Sequence, residues 1–460
     1  MTLTRRHTLK AILLASAAAA APGISLANTS ASRRAIPWKN WAGTQSCTPA
    51  FRSTPKGINE LASVIKSSTG SIRAVGSGHS WSPLVPTDGT LLSLRRFKGM
   101  LGYDKEKNLV KFGAGTKLNK VGPALEEQGM AMCNLPDIDE QSLAGAFATG
   151  THGTGLELPA LHDCIESLTL VTAGGDVVEC SRTQNAELFD AARVSLGSLG
   201  IIADYTLKTP DLFRVERKYW LEDLDSILDR GEQLARDHRH FEFFYIPFSD
   251  TSYCFTTDKT NKPITEVQPE DDSVVETMKN LRDTLSFSTT ARRVALKALM
   301  KTVDLPPDYV EVPWKTLSTE RTTPVYEMEY QLPLEAGPQA MREVVDYIET
   351  NHPEFFVPLE YRYVDGDDAW MSEFYGRKSV SISVHRYREG DDPWNVFTKV
   401  QEIFRKYEGR PHWGKVHNYT YQDLKSVYPK IDEFKKIRQE LDPEGKFLND
   451  HVRGLLGLEA

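Results

Sequence analysis

The chain has 460 residues, 40 % of them hydrophobic and 26 % charged, with 31 glycines and a formal net charge of −8. That length exceeds one average domain, and the composition is that of a folded globular protein with no low-complexity block. The acidic balance, with no basic domain, argues against nucleic acid as a partner; five scattered cysteines with no CxxC pair argue against a disulfide scaffold or a thiolate zinc site.

Thr4-Arg5-Arg6-His7-Thr8-Leu9-Lys10 precedes an apolar run from Ala11 to Ala21, and Ser25-Leu26-Ala27 offers small residues for cleavage before Asn28. Residues 1–27 read as a twin-arginine-type signal peptide, which predicts a periplasmic or extracellular mature protein. The apolar run is shorter than the roughly 20 residues a span needs. No integral membrane segment is expected after cleavage. Twin-arginine export carries folded proteins and suits one loaded with its cofactor in the cytoplasm.

Ile58, Leu61, Ala62 and Ile65 fall at helical spacing, and Ile72 to Val75 reads as a strand running into Gly76-Ser-Gly78-His79-Ser80-Trp81. Leu109 to Phe112 is a second strand, ending at Gly113-Ala-Gly115, and Lys117 to Gly129 has a helical pattern interrupted by Gly122-Pro123. Residues 167–172 and 177–180 flank Ala173-Gly-Gly-Asp176, a hairpin signal, and Ile201 to Leu207 is another strand. Up to about residue 210 the chain is therefore glycine-punctuated α+β. Beyond it, 225–237 is helical and 241–248 is an aromatic strand, while 256–322 is weakly patterned and is expected to form loops and helices on a periphery. Alternation returns at Tyr326/Met328/Tyr330/Leu332, 359–363 and 379–385, with amphipathic helices over 341–348 and 396–404. This order predicts an antiparallel sheet with helices on one face. The domain boundary is placed near Pro210.

No G-x-G-x-x-G and no G-x-x-x-x-G-K-[ST] is present, which excludes a Rossmann dehydrogenase and a P-loop ATPase. His238, His240, His412 and His417 lack an H-E-x-x-H frame, against a metal hydrolase; no metal is expected. Glycine clusters instead recur at Gly76/Gly78, Gly113/Gly115, Gly145 to Gly155 and Gly197/Gly200. Such loops lie close to a diphosphate or a ring and donate backbone N–H groups. Each alone reads as a turn; four in one half, two with adjacent histidines, point to a large ligand.

In the second half, Glu360 and Arg362 are two apart on a strand and so share a face. A carboxylate with a guanidinium can bind and polarise a polyhydroxy substrate, although on pattern alone the pair reads as a surface ion pair. His385 shares its strand face with Ser381, Ser383 and Tyr387, opposite Val380, Ile382 and Val384; that polar face lines a pocket or meets solvent. Lys415 follows His412-Trp413-Gly414.

Gly76-Ser-Gly78-His79-Ser80, Asp139-Glu-Gln-Ser142-Leu-Ala-Gly145 leading into Thr149-Gly150-Thr151-His152-Gly153, and His412-Trp-Gly-Lys415 resemble, in order, the aldonolactone oxidase and alditol oxidase branch of the vanillyl-alcohol-oxidase flavoprotein family. The resemblance runs from about residue 37 to the C-terminus. It implies an α+β, two-subdomain FAD-binding domain of the PCMH type over 37–210. It also implies a substrate or cap domain over 211–460, whose C-terminal segment packs back near the flavin. It places FAD against Val75, Gly76, Ser77, Gly78, His79, Ser80, Ser142, Gly145, Thr149, Gly150, Thr151, His152, Gly153, Gly197, Gly200 and Ile201, with His79 bonded covalently to the flavin. Glu360, Arg362, His385, Lys415 and Asp137 become the catalytic candidates. The implied reaction oxidises a CH–OH group of an aldonolactone (a gulono-, galactono- or arabinono-1,4-lactone) or of an alditol. Hydride passes to flavin N5 and oxygen accepts the electrons, giving peroxide; the alternative is a periplasmic dehydrogenase feeding a quinone or a cytochrome. This sequence departs from the pattern at Gly414, where relatives carry alanine, at Pro136, where a small residue gates oxygen, and at Asp137, where alditol-oxidising relatives place a serine. A carboxylate at Asp137 alters substrate choice or is simply a solvated turn residue.

Overall fold

The computed structural model describes residues 36–265, 273–319, 324–387 and 392–459. The signal peptide read over residues 1–27 lies outside them. From Ile36 onward the chain packs as one unit, built on three principal sheets.

The first sheet is small and parallel. Thr90–Ser93 lies between Phe51–Ser53 and Ile72–Val75. Helix Ile58–Ser67 makes the crossover that parallel pairing demands, and it buries Leu61 and Ile65. The second sheet is antiparallel, in the order Met100–Asp104, Leu109–Gly113, Ile201–Lys208, Ile165–Val171, Val177–Ser181. Its hairpin pairs Val171 with Val177, and Gly175 at φ +77° supplies the left-handed residue of the turn. The helix expected over 117–129 spans Leu118–Glu126 and continues through Pro123. Gly122 is needed there for packing, because a Cβ would stand 2.4 Å from the Cβ of Trp314.

The third sheet has eight antiparallel strands in the order Tyr309–Glu311, Arg214–Asp223, Thr251–Thr260, His240–Ile246, Leu359–Val364, Ser379–Tyr387, Val325–Pro333, Arg410–Pro411. Strand alternation gives it two unlike faces. Phe243, Tyr361, Ile382 and Tyr330 lie in the apolar core, and helices Leu224–Asp237, Gly337–Asn351 and Trp394–Lys406 pack against the strands that carry them. The opposite face carries Glu327, Glu329, Glu360, Arg362, Ser381 and Ser383, and all of these are buried too.

The stretch 256–322 is not wholly peripheral. Thr251–Thr260 is an interior strand and Tyr309–Glu311 an edge strand of the large sheet, whereas helices Ser273–Thr284 and Thr289–Met300 do lie outside it. The strand escapes a hydrophobicity pattern because its inward residues serve a polar layer: Thr257 is buried and accepts a hydrogen bond from Arg217 Nε at 3.0 Å. Among the described residues no helix is long and apolar enough to cross a membrane.

One side chain joins distant segments at the glycine turn. Arg73, on the strand Ile72–Val75, is buried, and its guanidinium donates to the carbonyls of Leu84 (2.7 Å), Gly197 (3.0 Å), Leu196 (2.7 Å) and Phe447. Burial pulls it down to about 10, so it stays charged at neutral pH. Replacing Arg73 with Met should strand several buried carbonyls and lower stability by at least about 3 kcal/mol. Arg73→Lys should restore little of it, because one ammonium cannot span four acceptors. Urea unfolding measures both.

Candidate active site

The glycine loops meet in a cleft of about 420 Å³. Its walls include Val75, Gly76, Ser77, Gly78, His79 and Ser80 from the first turn, Ser142, Gly145 and Thr149 from the second loop, and Gly197, Gly200 and Ile201 from the third. These loops touch because they lack side chains. A Cβ on Gly76 would fall 2.0 Å from Ser142 Oγ, and one on Gly115, which also lines the cleft, 2.1 Å from Leu94 O. Gly78 and Gly197 hold φ of +70° and +63°. Such walls fit a flat, phosphate-bearing cofactor such as FAD: backbone lies at the surface, and Arg95 and Lys117, which the sequence reading passed over, bring positive charge to it.

His79 is fixed by stacking. Its ring lies 5.1 Å from that of Trp41 at an interplanar angle of 29°, and Trp41 meets Trp81 edge-on at 6.2 Å. Burial pulls the imidazole below its usual range, with Lys117 and Lys415 adding to the effect and Glu140 opposing it. The ring is therefore neutral at neutral pH.

The second loop divides. Beyond Thr149 it turns from the cleft towards the large sheet, so Gly150, Thr151, His152 and Gly153 are not in the cleft wall. A Cβ on Gly150 would meet Glu373 Oε2 at 1.9 Å, and one on Gly153 would meet Leu135 O at 2.3 Å. Thr151 Oγ1 donates to Gln141 Oε1 at 3.1 Å. His152 donates from Nε2 to Glu329 Oε1 at 2.5 Å. The small residues there make room for the charged sheet face.

That face holds most of the catalytic candidates. Arg362 pairs with Glu360 at 2.9 Å and with Glu329 at 3.7 Å. Lys415 pairs with Glu327 at 2.5 Å and with Glu329 at 3.8 Å, and sits 4.6 Å above the Trp81 ring. His385 Nε2 stands 3.5 Å from Glu327, while its Nδ1 donates to Pro358 O at 3.2 Å. The strand register puts Glu327 opposite His385, Glu329 and Glu360 opposite Ser383, and Arg362 opposite Ser381. Glu360 and Arg362 are thus a buried pair, not a surface one. Lys415 and His412 belong both to this face and to the cleft wall.

On the sheet face, Glu327 and Glu329 are residues the sequence reading missed. They alternate with Tyr326, Met328 and Tyr330, and two glutamates in such a strand resemble a solvent face. The signal was their match to the Ser381/Ser383/His385 alternation. Burial acts against both charges. Lys415 and His385 nevertheless hold Glu327 far below the carboxylate range, and His152 and Arg362 do so for Glu329. Glu360 goes the other way: burial raises it, Arg362 offsets part of the rise, and Asp137 adds to it. Burial drops His412 to about 3, so it is neutral, and its Nδ1 accepts from Gly414 N at 3.0 Å.

Asp137 lies at the rim of this group. Its Oδ1 accepts from Thr319 Oγ1 at 3.0 Å, its carbonyl accepts from Thr319 N at 2.8 Å, and Pro136 O accepts from Ser318 Oγ at 2.7 Å. Two sets of three, His152/Glu329/His412 and Glu327/Glu360/His385, bring metal-ligand atoms within 4.8 Å of one another. Glu329 already takes hydrogen bonds from His152, Gln331 and Ser381 and pairs with Arg362 and Lys415.

The profile of the D-arabinono-1,4-lactone oxidase family matches residues 205–455, and that of an FAD binding domain matches residues 49–181. The chain is 36 % identical to an L-gulono-1,4-lactone dehydrogenase of Mycobacterium tuberculosis over 91 % of this chain and 99 % of the relative. It is 30 % identical to the L-gulonolactone oxidase of Mus musculus over 91 % and 98 %. A solved solvent-stable cholesterol oxidase shares the fold, with a TM-score of 0.75 at 18 % identity over 91 % of this chain and 97 % of the other.

Burial opposes protonation of His385, but Glu327 outweighs it and raises the imidazole above its usual value near 6.5. The pair therefore stabilises the fold fully below about pH 6.5 and loses that contribution as pH rises through the raised value. The stability gap between wild type and His385→Gln, read by urea unfolding, should be widest at pH 6 and narrow towards pH 9.

Proposed function

We propose, starting from the fact that this chain belongs to the D-arabinono-1,4-lactone oxidase family, that it oxidises a CH–OH carbon of a sugar-derived lactone or alditol with FAD as the hydride acceptor. The observation that carries this reading is the state of Glu360. One of its oxygens is held by Arg362 at 2.9 Å, while the other, Oε1, is buried with no hydrogen-bond partner. A carboxylate presented in this way, raised in pKa by burial, is suited to accept the proton of a substrate hydroxyl.

The chain's other groups have distinct tasks. Arg362 keeps Glu360 in one rotamer and offers its remaining N–H groups to substrate oxygens. Lys415, held over Trp81 and between Glu327 and Glu329, places a positive charge where the cleft meets the sheet face. There it favours negative charge developing on the cofactor or on the substrate oxygen. His385, paired with Glu327, is the group we assign to selection among hydroxyl patterns. FAD, bound between the glycine loops, supplies the hydride acceptor and stores the electron pair.

His79, neutral and stacked on Trp41, is the residue we assign to a covalent link with the flavin. The support is its place in the cleft wall between Gly78 and Ser80. Lactone substrates are favoured by the names of the relatives, one a dehydrogenase and one an oxidase of L-gulonolactone. Oxygen is the acceptor in our reading, with a quinone or cytochrome as the alternative. The twin-arginine-type leader supports a periplasmic or extracellular site of action.

Anaerobic addition of L-gulono-1,4-lactone, other aldonolactones and alditols should bleach the bound flavin for at least one of the panel; no bleaching by any would refute the reading. Glu360→Gln should slow that bleaching about 10²- to 10⁴-fold, the range for losing a general base. His79→Ala should release its flavin on acid precipitation where wild type retains it. Peroxide formed under air, or its absence, separates oxidase from dehydrogenase.

A further inference from the structure

Against Arg362 lies a small cavity of about 10 Å³, room for one water molecule, lined also by Asp137, Asn134, His240 and Glu242 among others. Two buried polar atoms of its lining residues lack partners among the described residues: His240 Nε2 and Arg362 Nε. Their chemistry is complementary. His240 Nδ1 faces the carbonyl of Thr257 at 3.0 Å and must donate to it, so Nε2 is a bare acceptor. Arg362 Nε is a bare donor. A single water satisfies both and keeps a second O–H to give to a carboxylate, and two carboxylates, Glu242 and Asp137, line the same space.

Glu242 is placed to use that water. It stands opposite Arg362 in the strand register, with Glu360 opposite its neighbour Phe244, so Glu242 and Glu360 are diagonal neighbours on one face. Long side chains reach across that distance. We propose that Glu242 and the water site behind it form the exit through which the proton taken from substrate by Glu360 leaves the buried sheet face. The inference rests on Glu360 being the proton acceptor, as above. In each turnover the substrate O–H bond breaks and the carbon's hydrogen leaves with its electron pair to the cofactor. A carbonyl forms, and one proton is left on Glu360. That proton passes to Glu242, then to the water, then past Asp137 to solvent.

The surroundings suit a carrier. Glu242 faces Arg362 and Glu360 on one neighbouring strand, Arg217 two strands away on the other side, Asp137 from the 134–137 segment, and His240 on its own strand. Burial and the negative charge of Glu360 raise it above the ordinary carboxylate range, against the pull of Arg362 and Arg217. A carboxyl raised in this way can take a proton from Glu360 and pass one to the water. His240, dropped to about 3 by burial, stays neutral and positions the water without competing for the proton.

The isosteric Glu242→Gln tests this in the flavin-loaded enzyme, with L-gulono-1,4-lactone (or whichever panel member bleaches the flavin) and an artificial dye as electron acceptor. Single-turnover bleaching should stay within about twofold of wild type, because Glu360 can still take the first proton. Steady-state kcat should fall at least about tenfold at unchanged KM, and added formate, a diffusible proton carrier, should restore it. At rest and pH 7, the infrared absorption of neutral carboxylic acids, to which buried Glu373 also contributes, should be weaker in the variant than in wild type by one group. Unchanged kcat, or loss of the first bleaching itself, overturns the exit route. If Glu360→Gln bleaches at the wild-type rate, the assignment of the proton acceptor fails instead.

Discussion

The constraint on which the structure turns is the pairing of charge that has been taken out of water. Glu329 is 1 % exposed and is surrounded by donors from four parts of the chain: His152, Gln331, Ser381 and Arg362. Removing one partner from a buried ion pair costs about 3–5 kcal/mol, a large share of the 5–15 kcal/mol that holds a typical domain together. The large sheet must therefore keep its register. A slip of one residue would turn Met328 and Tyr330 towards the cleft and the glutamates into the hydrocarbon core. The same demand explains the glycines of the second loop: Gly150 and Gly153 let His152 approach Glu329 while Glu373 and Leu135 occupy the space side chains would take.

The two halves of the molecule thus supply different physics to one site. The glycine-rich half offers exposed backbone and little side-chain bulk, which suits a large planar cofactor with phosphates. The sheet half offers fixed charges in a dry environment, where their fields act at full strength. Many groups join the two halves, among them His152 with Glu329, Arg193 with Asp368 and Thr154 with Phe241 O. Lys415 and His412 stand at the seam, Ser82 Oγ donates to Trp413 O at 2.5 Å, and Trp81 N–H is spent on Gly414 O at 2.7 Å. The His412–Lys415 segment is therefore held by the very turn that carries His79.

Much of this was legible in the sequence, and what was not has a physical reason. The strand Ile72–Val75 and the glycine turn after it were readable because φ and close approach restrict residue type there. Glu360 and Arg362 could be placed on one face, but their burial could not, since a charged pair on a strand looks the same whether it faces water or a second layer. Glu327 and Glu329 were hidden by that ambiguity. Thr251–Thr260 went unseen because a strand serving a polar interior has no hydrophobic period. The second glycine loop could be assigned to close packing but not divided between two neighbours, because a missing Cβ does not say which surface needed the room.

Arg73 carries a consequence for how the molecule is made. Its guanidinium bridges the strand before the glycine turn to Phe447, 374 residues later. During translation the early strand and its glycine turn leave the ribosome long before their last carbonyl partner exists. The nascent cleft wall has to wait, incompletely tied, until the chain has grown past Phe447. This tie in the cleft wall can therefore close only once the polypeptide is nearly whole.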